Sequence, residues 1–386
     1  MKIVFAEWGG FGSEDVKAAF VAEGHELIRF LFPAQYGRHN RDAETENRLS
    51  ALFRQEVPDV MFSLNYFPVI SRVCQQEKIR YISWTYDCPC FLLYSATIIN
   101  SCNVAYVFDK QLYLDFHCAG IETVRYLPLA ADTERLDRIT IKRSGEQSFQ
   151  YDLSFLGSLY IEKYDYYSKI APKLSDYAKG YLDALMDAQM KIHGYDLVQG
   201  ALSPVLDEMY KICPVDPEPD GVEPREYFYE QYVVNRRITA LERIDLLEAC
   251  ARYCPLDLFT HTKELSMPGI TNHGSVDFYT EMPLVFKQSR INLNISLRGI
   301  KSGIPLRAYD IMGAGGFLLS NFQADFLDDF VPGEDFVYYE SKEDLLQKVA
   351  YYLGHEEERK AIAKNGHDKV AAGHTYRHRV REMLNL

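Results

Sequence analysis

The chain has 386 residues, 47% hydrophobic and 25% charged, the composition of a globular protein. At about 150 residues per domain, this length allows two or three domains, each able to bury a core without disulfides or metals. Forty-two Lys and Arg against fifty-five Asp and Glu leave a net charge of -13 with no basic tail or cluster. That excludes broad binding to nucleic acid or anionic membranes, so any anionic ligand needs a local basic pocket.

The opening run Met1–Glu7 is too short to serve as a secretion signal. No uncharged stretch approaches the ~18 residues that span a bilayer. The expectation is a cytoplasmic chain whose eight cysteines are reduced, and the spacings of Cys88, Cys90, Cys102 and Cys118 match no zinc knuckle.

Taken in order, short apolar runs alternate with helical stretches. Lys2–Ala6, Leu27–Phe30, Asp59–Phe62, Arg80–Ser83, Val104–Phe108 and Thr123–Leu127 read as strands. Asp15–Ala22, Glu44–Gln55 and Gln111–Ala119 read as helices between them. This alternation predicts βαβ units and a parallel sheet. Residues 136–150, with Arg138, Lys142, Arg143, Ser144 and Gly145, turn polar and read as a linker. A second series follows at Tyr151–Gly157, Leu256–Thr260, Ile291–Ile295, Gly316–Ser320 and Phe336–Tyr338. Residues from about 160 to 240 lack strand signal and read as a helical insertion, broken by the proline-rich loop Cys213–Gly221. The predicted class is therefore α/β, with two Rossmann-like parallel-sheet domains, 1–135 and 151–373, facing a cleft. Ligands of such sheets bind at the carboxyl ends of the strands.

Four strand-to-helix loops are candidates for chemistry. Glu7–Ser13 has a G-x-G but lacks the third glycine of a dinucleotide fingerprint. The helix after it, capped by Ser13, opens with Glu14 and Asp15, whose charge opposes a pyrophosphate. The loop either presents Trp8 to the cleft, beside Gly10, or is simply a tight turn. In Trp84–Pro89, Asp87 beside Tyr86 is placed to act as a general base or to bind a sugar hydroxyl, or else it caps the next helix. Gly157-Ser158 lets backbone N–H groups approach a phosphate, with Lys163 nearby. The fourth stretch, 291–316, carries Arg298, Lys301 and Arg307 within ten residues, a concentration of cations suited to anion capture. Arg307 and Asp310 fall on one helical face, where a salt bridge is the plain alternative. Gly313, Gly315 and Gly316 permit close backbone approach.

This last stretch resembles the C-terminal domain of GT-B glycosyltransferases, closest to the spore-maturation-protein-B-like (glycosyl transferases group 1-like) family. The resemblance is carried by Asn292–Asn294, Gly303–Arg307, Asp310–Leu319 and His374-Thr375-Tyr376, with Asp152–Ser158 and Trp84–Pro89 more diffusely. It implies a GT-B fold whose second domain binds a nucleotide-sugar donor, UDP-linked in that group, and whose first domain binds the acceptor, on the side of Trp8, Gly10 and Tyr86. Asp310 stands where the wider group has a Glu that holds the ribose. Ser302 stands where it has a Glu that contacts the donor sugar. By the same analogy Arg298 and Arg307 face the diphosphate, Lys301 and Gly315 lie with them, and His273-Gly274-Ser275-Val276 borders the base. Asp87, Arg298 and Ser302 are then the candidate catalytic residues. No Asp-x-Asp motif is evident, so the expectation is transfer without a required metal. The rival readings are a nucleotide-sugar epimerase on the same scaffold and a non-catalytic sugar-nucleotide-binding subunit. Residues 374–386 are expected to return to the first domain.

Overall fold

The computed structural model describes residues 1–32, 41–141, 149–161, 165–218, 220–263 and 265–385. The linker residues Lys142, Arg143, Ser144 and Gly145, and Lys163, lie outside the described residues.

The chain divides into two compact units. One comprises Met1–Leu129, Asp216–Arg225 and Thr375–Leu386; the other comprises Ala130–Val215 and Glu226–His374. The first unit holds six parallel strands: β1 (Lys2–Glu7), β2 (Glu26–Leu31), β3 (Val60–Leu64), β4 (Arg80–Thr85), β5 (Asn103–Val107) and β6 (Val124–Tyr126), in the order β2-β1-β3-β4-β5-β6. All five residues of β3 are buried, as expected of a strand covered on both faces by crossover helices. The second unit holds β7 (Tyr151–Leu156), β8 (Leu256–Phe259), β9 (Ile270–Asn272), β10 (Ser289–Asn294), β11 (Leu318–Asn321) and β12 (Val337–Tyr339), in the order β12-β11-β10-β7-β8-β9. Strand order reverses between β1 and β3 in one sheet and between β7 and β10 in the other. These reversals are the topological switch points where crevices open at the strand carboxyl ends.

Several details depart from the sequence reading. β9 is not foreseen, being only three residues, Ile270, Thr271 and Asn272. The helix Ser13–Ala22 is entered through Gly12 at φ +73°, and Ser13 is its first residue rather than its cap. Asp216–Arg225, read as part of the insertion, groups with the first unit. There Arg72 pairs with Asp220 at 2.8 Å, and the Ala96 N–H donates to the Asp220 carbonyl. Ala130–Arg138 belongs instead to the second unit, where Ala131 and Leu136 pack on Gly313 so closely that a Cβ there would lie 2.8 Å from the Ala131 methyl. The C-terminal helix Tyr376–Leu384 opens with a Thr375–His378 capping box and is clamped to Glu23 by Arg377 and Arg381 at 2.7 and 2.6 Å.

Candidate functional site

The switch point of the second sheet is laced by an arginine that the sequence reading passed over. Arg243 projects from the helix Asn235–Ala251, which starts at the carboxyl edge of the sheet and runs back to β8. Its Nε donates to the Ile295 carbonyl at 3.1 Å, and its Nη1 donates to the Ser158 carbonyl. It thereby ties the loop after β7 to the loop after β10. Its guanidinium also lies 5.3 Å from the Phe155 ring and 5.0 Å from the Tyr160 ring. A Cβ on Gly157 would come within 3.3 Å of Phe155 and 3.6 Å of Arg243, so this turn favours a bare backbone. Ser158 Oγ accepts from the Tyr160 N–H at 3.0 Å.

Two further guanidinium groups reach this edge without a carboxylate partner among the described residues. Arg236, two turns before Arg243, sits 4.7 Å from the Tyr232 ring and 5.9 Å from the Tyr160 ring. Its Nε is buried without a hydrogen bond. Arg307 lies in the first turn of the helix Leu306–Gly313, donates to Met282 Sδ and packs on the Phe286 ring at 5.7 Å. Burial holds its pKa below the ordinary guanidinium value; Asp310 opposes that shift and the charge of Arg243 adds to it. Arg307 and Asp310 do not form the close ion pair that was the plain alternative. Asp310 is 3% exposed, one turn further along the same helix. Three cations, a helix N-terminus and a bare glycine turn thus converge on one strand edge, an arrangement that stabilises an anion.

Other expected residues are placed differently. Arg298 does not present a free guanidinium: Nε and Nη2 bind both oxygens of Glu242 at 2.8 and 2.6 Å, and Nη1 donates to the Ile192 carbonyl at 2.9 Å. Its sequence position at a strand end is right, but a carboxylate 56 residues earlier claims its charge. Lys301 is held by Gln199 at 2.9 Å. The Ser302 carbonyl accepts from the Asp325 N–H at 3.0 Å, pinning the loop. Gly315, at φ +74°, follows the far end of its helix and precedes β11, so it lies at the amino ends of the strands, away from this edge. His273 follows β9 at the carboxyl edge, but its ring bonds Asp257 at 2.7 Å and stacks on Phe259 at 4.7 Å. Gly274 turns beside Lys263, and Val276 is half-buried.

In the first unit the switch point gathers the loops after β1, β3 and β4. The Trp8 indole N–H donates to the Leu64 carbonyl at 2.7 Å and its ring meets Phe67 edge-on, so it is part of the packing. Gly10 is required by that ring, which a Cβ would approach to 2.9 Å. Asp87 is exposed and caps no helix; its carboxylate accepts from Asn65 Nδ2 at 2.8 Å. Asn65 Oδ1 in turn accepts from the Tyr86 and Asp87 N–H groups at 2.8 and 3.1 Å. Asn65, in the left-handed region at φ +62°, is therefore the positioning residue of that loop, and only its place after an apolar run signals it in the sequence.

Comparison with known proteins agrees with this architecture. Residues 236–385 match the family described as glycosyl transferase-like. Among solved structures, the chain is similar to Anabaena HepE in complex with UDP-glucose: 11% identity, TM-score 0.55, covering 100% of this chain and 99% of that one. It is also similar to the sucrose-phosphate synthase of Thermosynechococcus elongatus, at 10% identity and TM-score 0.53, covering 100% and 98%. A third is a UDP-forming trehalose-phosphate synthase of Burkholderia xenovorans, at 13% identity and TM-score 0.50, covering 100% and 98%. No curated protein sequence matches the chain. At such identities these structures establish a common fold, which is GT-B. The family match covers β8 to β12 of the second sheet, and the fold of the whole chain is GT-B.

Proposed function

We propose that the protein transfers a sugar from a uridine diphosphate donor, and that the carboxyl edge of the second sheet holds the diphosphate without a required metal. The observation that carries this reading is the pair Arg236 and Arg307, two guanidinium groups with no carboxylate partner among the described residues, flanking Arg243 in a chain of net charge -13. Glycosyl transfer leaves negative charge on the departing nucleoside diphosphate. Cations and helix N–H groups already fixed around that charge lower the barrier because nothing must reorganise when it develops. Asp310 would accept from ribose hydroxyls, and the His273–Val276 loop would border the base. Asp87, carried by Asn65 in the first unit, would bind or deprotonate the acceptor hydroxyl. Among the described residues no helix is long and apolar enough to cross a membrane.

Calorimetric titration with UDP in EDTA tests the reading, run on the native chain and on Arg307→Met. Binding that the variant loses while its melting temperature is kept supports the diphosphate assignment. Equal UDP affinity in the two proteins would remove Arg307 from the site.

A further inference from the structure

Among the described residues, four positions other than glycine take the left-handed backbone region: Val57, Asn65, Lys78 and Tyr160. Val57 and Lys78 close helices, where that conformation is ordinary, and Asn65 orders the loop that bears Asp87. Tyr160, at φ +56°, closes no helix, and a bulky side chain there carries steric strain that glycine would not. Such strain persists where the placement of the side chain outweighs its local cost.

The contacts of its ring supply the reason. Tyr160 follows β7 at the carboxyl edge of the sheet, its N–H fixed by Ser158 Oγ at 3.0 Å. The ring centre lies 5.0 Å from the Arg243 guanidinium and 5.9 Å from that of Arg236. Arg243 is also anchored by the Ile295 and Ser158 carbonyls. Arg236 has no such anchor: among the described residues its buried Nε bonds nothing and no carboxylate pairs with it. Its guanidinium meets two rings instead, Tyr232 and Tyr160. Tyr232 stands four residues earlier on the same helical run and moves with Arg236, whereas Tyr160 comes from the sheet. That run is entered through π turns over Tyr229–Val234, a rare, widened helix that concentrates at functional sites. A guanidinium packed on aromatic faces keeps its N–H edges open to an anion, which a carboxylate partner would occupy.

We propose that Tyr160 is a positioning residue of the donor site: its ring, aimed by the left-handed turn, registers Arg236 against the loop after β7 and so presents that guanidinium to a diphosphate. This role rests on the diphosphate site proposed above and adds the residue that sets one of its cations. The aromatic ring carries the effect, not the phenol hydroxyl, because the ring is what the two arginines touch.

Calorimetric titration of the full chain with UDP tests it through Tyr160→Phe and Tyr160→Gly, the second taking the same turn without strain. Tyr160→Gly should bind UDP about three- to tenfold more weakly, and Tyr160→Phe within about twofold of native. Added to Arg236→Ala, Tyr160→Gly should cost less than about twofold more, because the two residues act as one unit. Native affinity in Tyr160→Gly, equal losses in the Phe and Gly variants, or a full further loss on top of Arg236→Ala would each overturn the proposal. NMR of the arginine Nε–H groups reads the contact with no ligand present. The Arg236 resonance, assigned by its absence from Arg236→Ala, should shift in Tyr160→Gly and hold in Tyr160→Phe; a resonance that Tyr160→Gly leaves unmoved would overturn the positioning role. A native chain that shows this shift but binds no UDP would defeat the donor reading while upholding the hold of Tyr160 on Arg236.

Discussion

Replacing Arg298 with methionine removes the guanidinium that holds Glu242 through hydrogen bonds of 2.8 and 2.6 Å. The two side chains are only 10% and 6% exposed, so the variant leaves a carboxylate buried without its counter-charge. Breaking a buried pair on one side costs ~3–5 kcal/mol, and an open pocket beside Arg298 favours the lower end. In a unit of about this size each kcal/mol lowers the melting temperature by ~2–4 °C, so the expected fall is roughly 6–12 °C. The double variant Arg298→Met/Glu242→Leu removes both charges and should recover most of that loss. Differential scanning calorimetry reads the stabilities, and a UDP titration well below the transition reads the affinity, which should stay within about twofold of native. A single variant that melts like the native protein but binds UDP tenfold more weakly would refute this, and would return Arg298 to the diphosphate.

Further expectations follow from the same geometry. Arg236→Ala and Arg307→Ala should each weaken UDP about ten- to hundredfold by removing a charge-assisted hydrogen bond, while leaving uridine affinity unchanged in calorimetry; parallel losses for uridine would contradict this. Asp310→Asn should weaken UDP yet spare inorganic pyrophosphate, and equal losses for both ligands would mean that Asp310 acts through packing. In the first unit, hydrogen bonds from Arg381 and Arg377 lower the pKa of Glu23 from 4.5 to about 2. Because the folded value lies below the unfolded one, this contribution is complete above about pH 4.5 and is lost as pH falls toward 2. The melting temperature should therefore drop across that window, and by less in Glu23→Gln; identical profiles would show that the clamp contributes nothing.

The sheets were legible because their strands are short apolar runs separated by helical patterns. Ile291–Ile295 and Tyr151–Gly157 stand out wherever both faces are buried. β9 was not, since Thr271 is exposed and Asn272 half-buried, leaving no apolar signal. Asp216–Arg225 could not be placed from sequence either, because its position depends on Arg72 and Ser95, more than a hundred residues earlier. The carboxyl edge of the second sheet follows from the strand pattern, whereas the contacts of the side chains there do not. Arg307 and Asp310 stand in the helix that follows β10, where the sequence pattern puts them. Arg236 and Arg243 were missed inside a helix-rich stretch, although the spacing 236, 240, 243 puts both on one helical face. Arg298 was assigned to an anion because nothing in its own neighbourhood discloses Glu242. Local sequence shows where a strand ends; it does not show which distant charge meets the residue there.

The most direct test of the donor site is a thermal shift of the native chain with UDP-, GDP-, ADP- and TDP-sugars, each with and without EDTA. Ligand at a hundred times its dissociation constant adds ~2.7 kcal/mol, enough to raise the midpoint by several degrees. The predicted result is a rise with the uridine series that EDTA leaves unchanged and that Arg236→Ala cuts to about half or less. A chain that shifts with none of the four nucleotides, or only when a divalent metal is present, would contradict a diphosphate site built from arginines alone.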